Sequence, residues 1–380
     1  MTTAGLFSGT VTESAPANGA LTDKQLGHHW MQWGIFPATD VWILTRGTDV
    51  FDYLHIDYIS GTVTRLGRES HTWINNTAGF GSDGTHIILP ATDLDSLDVY
   101  KWDGVDFIKT AHLDPAHTDN NTAYLFGGDG YWMKGASDGS LITGLWDGDS
   151  IGFGDKTELV ALTSTYQNTL DFVVGRFTGY GLDYFAITPT TSSGTPPLVL
   201  IEWKVKDEPF TVLDTQSSEE GQAWGWDRNT GDIVYSFAGT GFDTHVEWYK
   251  YDMKESLSKV GDIELGYETQ CATMYEYTLY VSVGLEIRAY ALDGLIPTLI
   301  DTFDLSAPFN SSARIIHVDP FSNHLFFVEE GGEACVCVDV LTDGTFGSNY
   351  IDLTPASENY SFDRAANAMY FLDKPLNITP

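Results

Sequence analysis

Apolar residues come in short runs broken by polar turns, and the unit repeats. Residues 318–328 run as an apolar residue, an Asp, the turn Pro320-Phe321-Ser322-Asn323, and an apolar stretch, Leu325-Phe326-Phe327-Val328. Residues 226–236 and 362–372 follow the same plan. Each reads as strand, turn, strand. Extended along the chain, the pattern predicts groups of four short strands. The first group is 30–36, 41–45, 53–58 and 62–66, and later groups start near Thr72, Thr122, Leu170, Ala223, Cys271, Ala313 and Tyr360. The starts lie 42, 50, 48, 53, 48, 42 and 47 residues apart. A four-stranded repeat of roughly 40–50 residues is the period of a β-propeller blade.

Third and fourth strands meet at Asp-Gly: Trp102-Asp103-Gly104, Trp146-Asp147-Gly148, Leu292-Asp293-Gly294 and Thr342-Asp343-Gly344. Asp-Gly predicts a tight hairpin with positive φ at both central residues. The eighth group has only two strands, and an N-terminal strand, 6–12, is left over. Joined, they would close a ring without exposed sheet edges. The expected fold is therefore all-β, a β-propeller of eight four-stranded blades closed by N- and C-terminal strands, with seven blades if one group is misread. Residues 1–27 would be closing strand and connector, and 28–380 a single propeller domain.

Ile315-Ile316-His317-Val318-Asp319-Pro320, Leu325-Phe326-Phe327-Val328, Cys335-Val336-Cys337-Val338-Asp339-Val340 and Asp343-Gly344-Thr345 together resemble one repeat of the lactonase-like propellers. Two or three further repeats resemble it loosely. The resemblance implies a propeller. Enzymes of that kind place acidic and Asn ligands around a central divalent metal, and those ligands do not map onto positions here. Trp102-Asp103 and Trp146-Asp147 are similar to the WD-repeat dipeptide, without the other marks of that repeat.

Composition fits many strands and tight turns: 13% aromatic residues, 38 Gly and 19% charged residues. The net charge of −34, from 53 acidic and 19 basic residues, opposes binding to nucleic-acid phosphates and to anionic membranes. It fits a solvated acidic surface, a cation or a basic partner. No apolar stretch approaches the ~18 residues of a membrane span. The N-terminus shows no signal peptide, so cytoplasmic synthesis is expected, with a virion location open. Cys271, Cys335 and Cys337 are too few for a disulfide framework. Cys335 and Cys337 alternate on one strand and should point to one face.

Carboxylates are the most plentiful reactive groups. Asp93 and Asp95, Asp114 and Asp119 around His117, Glu219 and Glu220, and Glu329, Glu330 and Glu333 fall in loops that would share one propeller rim. Asp93, Asp95, Asp119, Glu219, Glu220 and Glu329 are the metal candidates. Such acids could hold Ca²⁺ through oxygen ligands or form an acid/base pair for glycoside cleavage. The competing reading is a solvated rim, which the abundance of acids favours. His28, His29, His112 and His117 lack ligand spacing such as HExxH. No nucleophile elbow or phosphate loop occurs, so no catalytic or cofactor-binding residue is assigned. Trp203, Trp224, Trp226 and Trp248 either pack between blades or stack on sugars. Residues 190–197 form the longest insertion and read as a rim loop.

The Gly/Thr/Asp/aromatic-rich, Lys-poor composition is similar to that of phage structural proteins. The function expected from it is non-catalytic: a binding and assembly module, a virion or appendage component for decoration, attachment or host or glycan recognition. Its partners would be other proteins of an assembly or surface glycans, with neither nucleic acid nor membrane insertion. The alternative is a metal-dependent lactonase or glycoside-type hydrolase with an acidic site at the propeller axis.

Overall fold

A computed structural model describes residues 38–45, 50–70, 81–82, 86–90, 97–113, 121–127, 131–136, 140–146, 151–153, 157–158, 172–179, 182–189, 197–203, 211–217, 223–226, 233–237, 245–251, 256–265, 272–292, 296–311, 313–319, 322–329, 334–353 and 369–372. Among these the elements are all strands. Sheet one holds β1 (Ala38–Thr45), β2 (Val50–Asp57) and β3 (Thr62–Ser70); sheet two β4 (Gly81–Ser82), β5 (His86–Pro90), β6 (Leu97–Trp102) and β7 (Phe107–Leu113). Sheet three holds β8 (Asn121–Gly127), β9 (Tyr131–Ala136), β10 (Ser140–Trp146), β11 (Ile151–Phe153) and β12 (Thr157–Glu158). Sheet four is β13 (Phe172–Gly179), β14 (Leu182–Pro189), β15 (Pro197–Trp203) and β16 (Thr211–Ser217); sheet five is β17 (Ala223–Trp226), β18 (Ile233–Phe237), β19 (His245–Tyr251) and β20 (Leu257–Glu264). Sheet six is β21 (Ala272–Tyr275), β22 (Thr278–Val283), β23 (Glu286–Ala291) and β24 (Thr298–Asp304); sheet seven is β25 (Ala313–Asp319), β26 (His324–Glu329), β27 (Cys335–Val340) and β28 (Phe346–Asp352). The last strand, β29 (Met369–Leu372), pairs antiparallel with β1. All the pairings are antiparallel, and the architecture is propeller-like.

The described strands fall into seven sheets, where the periodicity reads eight groups with seven as its alternative. The two counts differ at the ends. The eighth group supplies one described strand, β29, and that strand takes the first position of sheet one, which the pattern had given to 30–36. Residues 1–37 lie outside the described residues, and with them the proposed strand 6–12 and the 1–27 connector. Elsewhere the repeat starts near Thr122, Leu170, Ala223, Cys271 and Ala313 match β8, β13, β17, β21 and β25.

Neighbouring sheets pack face to face. First strands touch in chain order, β4 on β8, β8 on β13, β13 on β17, β17 on β21 and β21 on β25. Sheet seven packs in turn on sheet one, Phe326, Val328, Cys335 and Cys337 meeting Val41, Leu54 and Ile56. Strands covered on both faces need apolar residues at consecutive positions, not alternate ones. Accordingly β21 and β22 are buried along their whole length, while the outer strand β24 mixes partly buried and exposed residues and buries none fully. Cys335 and Cys337 do share one face and are free thiols.

The turns differ from expectation in an instructive way. At 103–106 only Gly104 has positive φ (+102°), and the Asp103 carboxylate accepts the N–H groups of Val105 and Asp106, both at 2.8 Å. Asp343 likewise accepts from Thr345 N–H at 3.1 Å, with Gly344 at φ +83°. Asp thus serves as a turn cap in these loops and needs no left-handed backbone of its own. Among the described residues, the two-residue turn with both φ positive is Glu276-Tyr277, at 47° and 61°, where nothing in the residue types announces it.

Candidate functional site

The third strand of each sheet carries a recurrent local device. In six of the seven sheets its register to the fourth strand shifts midway, at Tyr53/Leu54, Val99/Tyr100, Leu200/Ile201, Trp248/Tyr249, Ala289/Tyr290 and Val338/Val340. In three of these sheets the residue preceding the pair that flanks the shift is a buried acid: Asp52, Asp98 and Glu247. Alternation along a strand decides where each acid points. Leu54 and Ile56 pack on sheet seven, so Asp52 faces that way. Trp102 packs edge-on against Tyr53, so Asp98 faces sheet one. Val246 and Trp248 pack with sheet six, so Glu247 faces away from it, toward the preceding sheet.

Each acid is neutralised by a base from its own fourth strand. Arg68 grips Asp52 through Nε and Nη2 at 2.7 and 2.9 Å. Lys109 and His112 Nδ1 meet Asp98 at 2.6 and 2.7 Å. Lys259 meets Glu247 at 2.6 Å, and Tyr249 donates to the same carboxylate at 3.0 Å. A buried carboxylate without such partners would carry a large desolvation cost. Burial and the Asp98 carboxylate push the Tyr100 phenol up to about 12. Burial alone would lower the Lys259 ammonium, but its bonds to Glu247 and Asp262 together raise it.

Two polar groupings are built differently. Asp40, wholly buried on β1, accepts from the Tyr53 hydroxyl and holds His55 Nδ1 at 2.6 Å. His55 is 35% exposed. With Nδ1–H donated to the carboxylate, Nε2 is left as a proton acceptor. The second grouping joins sheets seven and one. Tyr58 donates to Asp319 at 2.8 Å, and Ser322 donates to the same Asp319 oxygen. His324 stacks on the Tyr58 ring, centroids 3.7 Å apart, with Nδ1 2.8 Å from the Ser322 carbonyl oxygen. Desolvation lowers the His324 imidazole to about 4 and, with Asp319, raises the Tyr58 phenol. Ser322, His324 and Asp319 contain the residue types of a nucleophilic triad, but Ser322 gives its proton directly to Asp319, so the hydroxyl is not activated by the histidine.

Of the six acidic metal candidates, Asp93, Asp95, Asp119, Glu219 and Glu220 lie outside the described residues, as do Glu330, Glu333, Asp114, His28, His29, His117 and residues 190–196. Glu329 is described. It is buried, and its carboxylate accepts the backbone N–H groups of Asn310 and Ser311 at 2.6 and 3.0 Å. This ties the end of β26 to the connector entering sheet seven and gives the Glu329 carboxylate a structural task. Among the described residues no group of three His, Cys, Asp or Glu could hold a metal ion, because the buried acids are turned onto bases, a tyrosine or backbone N–H groups. These described residues do not fit a divalent cation. Trp248 is buried between sheets, the packing role, while the side chains of Trp203, Trp224 and Trp226 lie outside what the structure describes. Sequence reading missed Asp40 and His55. The available signal was two polar residues placed opposite each other on adjacent strands, visible only once register is known.

No protein-family model matches the chain, and no curated protein matches it in sequence. Solved structures do match. A candidate 6-phosphogluconolactonase from Bacteroides fragilis aligns with TM-score 0.62 and 11% identity over 88% of this chain and 98% of its own. One from Bacteroides uniformis gives 0.59 and 12% over 88% and 99%. A protein from Lactobacillus plantarum gives 0.60 and 12% over 88% and 99%. The resemblance to lactonase-like propellers therefore holds at the level of fold. These neighbours overturn the expectation of a non-catalytic virion or appendage component, with its structural-protein and glycan-binding roles. The composition that suggested a phage protein has a simpler source: Asp, Gly and Thr cap the turns and aromatics fill the gaps between sheets, as any protein of many hairpins requires.

Proposed function

We propose that the seven sheets are the blades of one closed propeller, with β29 completing the first blade, and that the protein is a hydrolase opening lactone rings. The observation that carries this reading is the end-to-end correspondence with two candidate 6-phosphogluconolactonases. His55 is the proton acceptor that the described geometry favours. In the reaction, His55 Nε2 takes a proton from a water whose oxygen bonds to the lactone carbonyl carbon. The ring C–O bond then breaks, and its oxygen takes the proton back as the hydroxyl of the open acid. Buried Asp40 orients the imidazole, and Tyr53 holds Asp40 in place.

The charge argues for neutral lactones over phosphorylated ones. A chain of net charge −34 repels a phosphate dianion, and four of the described bases, Arg68, Lys109, Lys259 and Arg288, are bonded to acids. A pH-stat assay with gluconolactone and its 6-phosphate tests the reading. The expected result is turnover above spontaneous hydrolysis, faster for the neutral ring, and lowered about 10²-fold or more in His55→Gln. No acceleration of any lactone would sink the hydrolase reading. Full activity in His55→Gln would remove the role of His55 alone.

A further inference from the structure

Large exposed apolar side chains gather on one rim. That rim holds the first-to-second and third-to-fourth strand turns, as the bonds from Tyr58 to Asp319, from Tyr275 to Asn323 and from Leu292 N–H to the Tyr277 carbonyl require. The third-to-fourth turns of sheets six, seven, one and two, consecutive around the molecule, present Ile296 (78% exposed), Leu341 (44%), Ile59 (82%) and Val105 (81%). Tyr277, also exposed, adds an aromatic from the first-to-second turn of sheet six. Its φ of +61° is one that Gly or Asn would adopt at less cost. On the opposite rim, among the described residues, Leu285 alone is a large exposed apolar residue, while Leu305 and Phe309 of the connector there are buried. Scattered surface apolar residues are ordinary. A large exposed apolar residue in the third-to-fourth turn of each of four consecutive sheets is not scatter.

The polar residues between these tips are of one sign. Asp57, Asp103, Asp106, Glu276 and Asp343 lie in or beside the described turns of this rim, and those turns contain no Lys or Arg. Backbone and side-chain hydrogen bonds from turn residues hold Asp57, Asp103 and Asp343 below the usual carboxylate range, so they stay charged. A second copy of the chain would bring the same acids against these and be repelled.

We propose that this rim docks a polypeptide segment whose side chains are basic and apolar, the apolar ones seated on Ile296, Leu341, Ile59 and Val105 and the basic ones between the aspartates. The surface adjoins the Asp40–His55 pair, Asp57 lying two residues from His55 on β2, but the proposal does not depend on the hydrolase reading.

The test titrates the full-length protein into a fluorescent amphipathic peptide of lysine and leucine, beside a peptide in which serine replaces each leucine. The wild-type protein should bind the lysine–leucine peptide, more weakly as salt rises, and prefer it to the lysine–serine peptide. The quadruple variant Ile59→Ser/Val105→Ser/Ile296→Ser/Leu341→Ser should lose about tenfold or more in affinity, while Leu285→Ser on the opposite rim should bind as wild type. The four substituted side chains are solvent-exposed, and circular dichroism checks that the variant folds. Equal binding of both peptides, unchanged affinity in the quadruple variant, or no binding would each overturn the proposal. So would concentration-dependent self-association by sedimentation that the quadruple variant abolishes, which would make the occupant a second copy.

Discussion

Sheet seven has two faces, and they make seams of different character. Through Leu325, Phe327, Val336 and Val338 it meets sheet six in an apolar cluster that continues to Val246 and Trp248 of sheet five. Through Phe326, Val328, Cys335 and Cys337 it meets sheet one in a smaller cluster. The second seam has a polar border: Tyr58 on Asp319, Ser322 on the same carboxylate, and His324 stacked on Tyr58. The first seam joins segments that follow one another in the chain. The second joins residues 261 apart. Apolar burial is strong but non-directional, and one sheet face resembles another. A short connector places sheet six beside sheet seven whatever the contacts. Sheet seven leads into sheet one only through β29, which joins that sheet by pairing with β1, and a directional bond to a buried carboxylate adds to the selection.

The comparison can be broken most forcefully by emptying each seam in turn. Phe327→Ala and Phe326→Ala alter neighbouring residues on opposite faces, both fully buried, and each should cost about 3–5 kcal/mol in urea unfolding. A loss confined to Phe327→Ala would show that the seam between sheets seven and one adds little apolar stability.

Acid should act on the polar seam and spare the apolar one. His324 titrates near 4 in the folded protein against an ordinary value of 6.5. Between those values the unfolded chain holds the proton and the folded protein does not. Stability therefore falls as pH drops from about 6.5 to about 4, by up to about 3 kcal/mol, and this contribution is flat below that. Unfolding of wild type and His324→Phe at about pH 7 and about pH 4.5 should show a smaller acid loss in the variant. An equal loss would assign the effect to other groups.

The seam between sheets one and two offers a finer probe. A Cβ on Gly67 would lie 2.3 Å from Trp102 Cζ3 and 2.5 Å from Cη2. Gly67→Ala should cost about 2 kcal/mol through overpacking, and most of that should return in Gly67→Ala/Trp102→Leu when compared with Trp102→Leu alone. Additive losses would mean that the ring moves aside without cost.

Much of the fold was legible in the residues because strand and turn are local. Apolar runs such as Leu325-Phe326-Phe327-Val328 and turn residues such as Asp103-Gly104 act over a few positions, so the strands and most repeat starts follow from them. The count of sheets did not, since β29 finds its partner β1 more than three hundred residues away in the chain. The candidate site was hardly legible. Acids are so common here that Asp40, Asp52 and Asp98 look no different from Asp93 or Asp95 in a string of letters. Register and burial separate them.

By itself, then, the sequence determined an all-β repeat of short hairpins with a strongly acidic surface, because hydrophobic periodicity, turn chemistry and charge are properties of neighbouring residues. Tertiary structure decided the rest. It completed the first sheet with the last strand, buried Asp319 under Tyr58, set Asp40 opposite His55, and lined up Ile296, Leu341, Ile59 and Val105 on one rim. Each of these depends on which strands meet and which face of each is covered, and that is settled only when distant segments pack together.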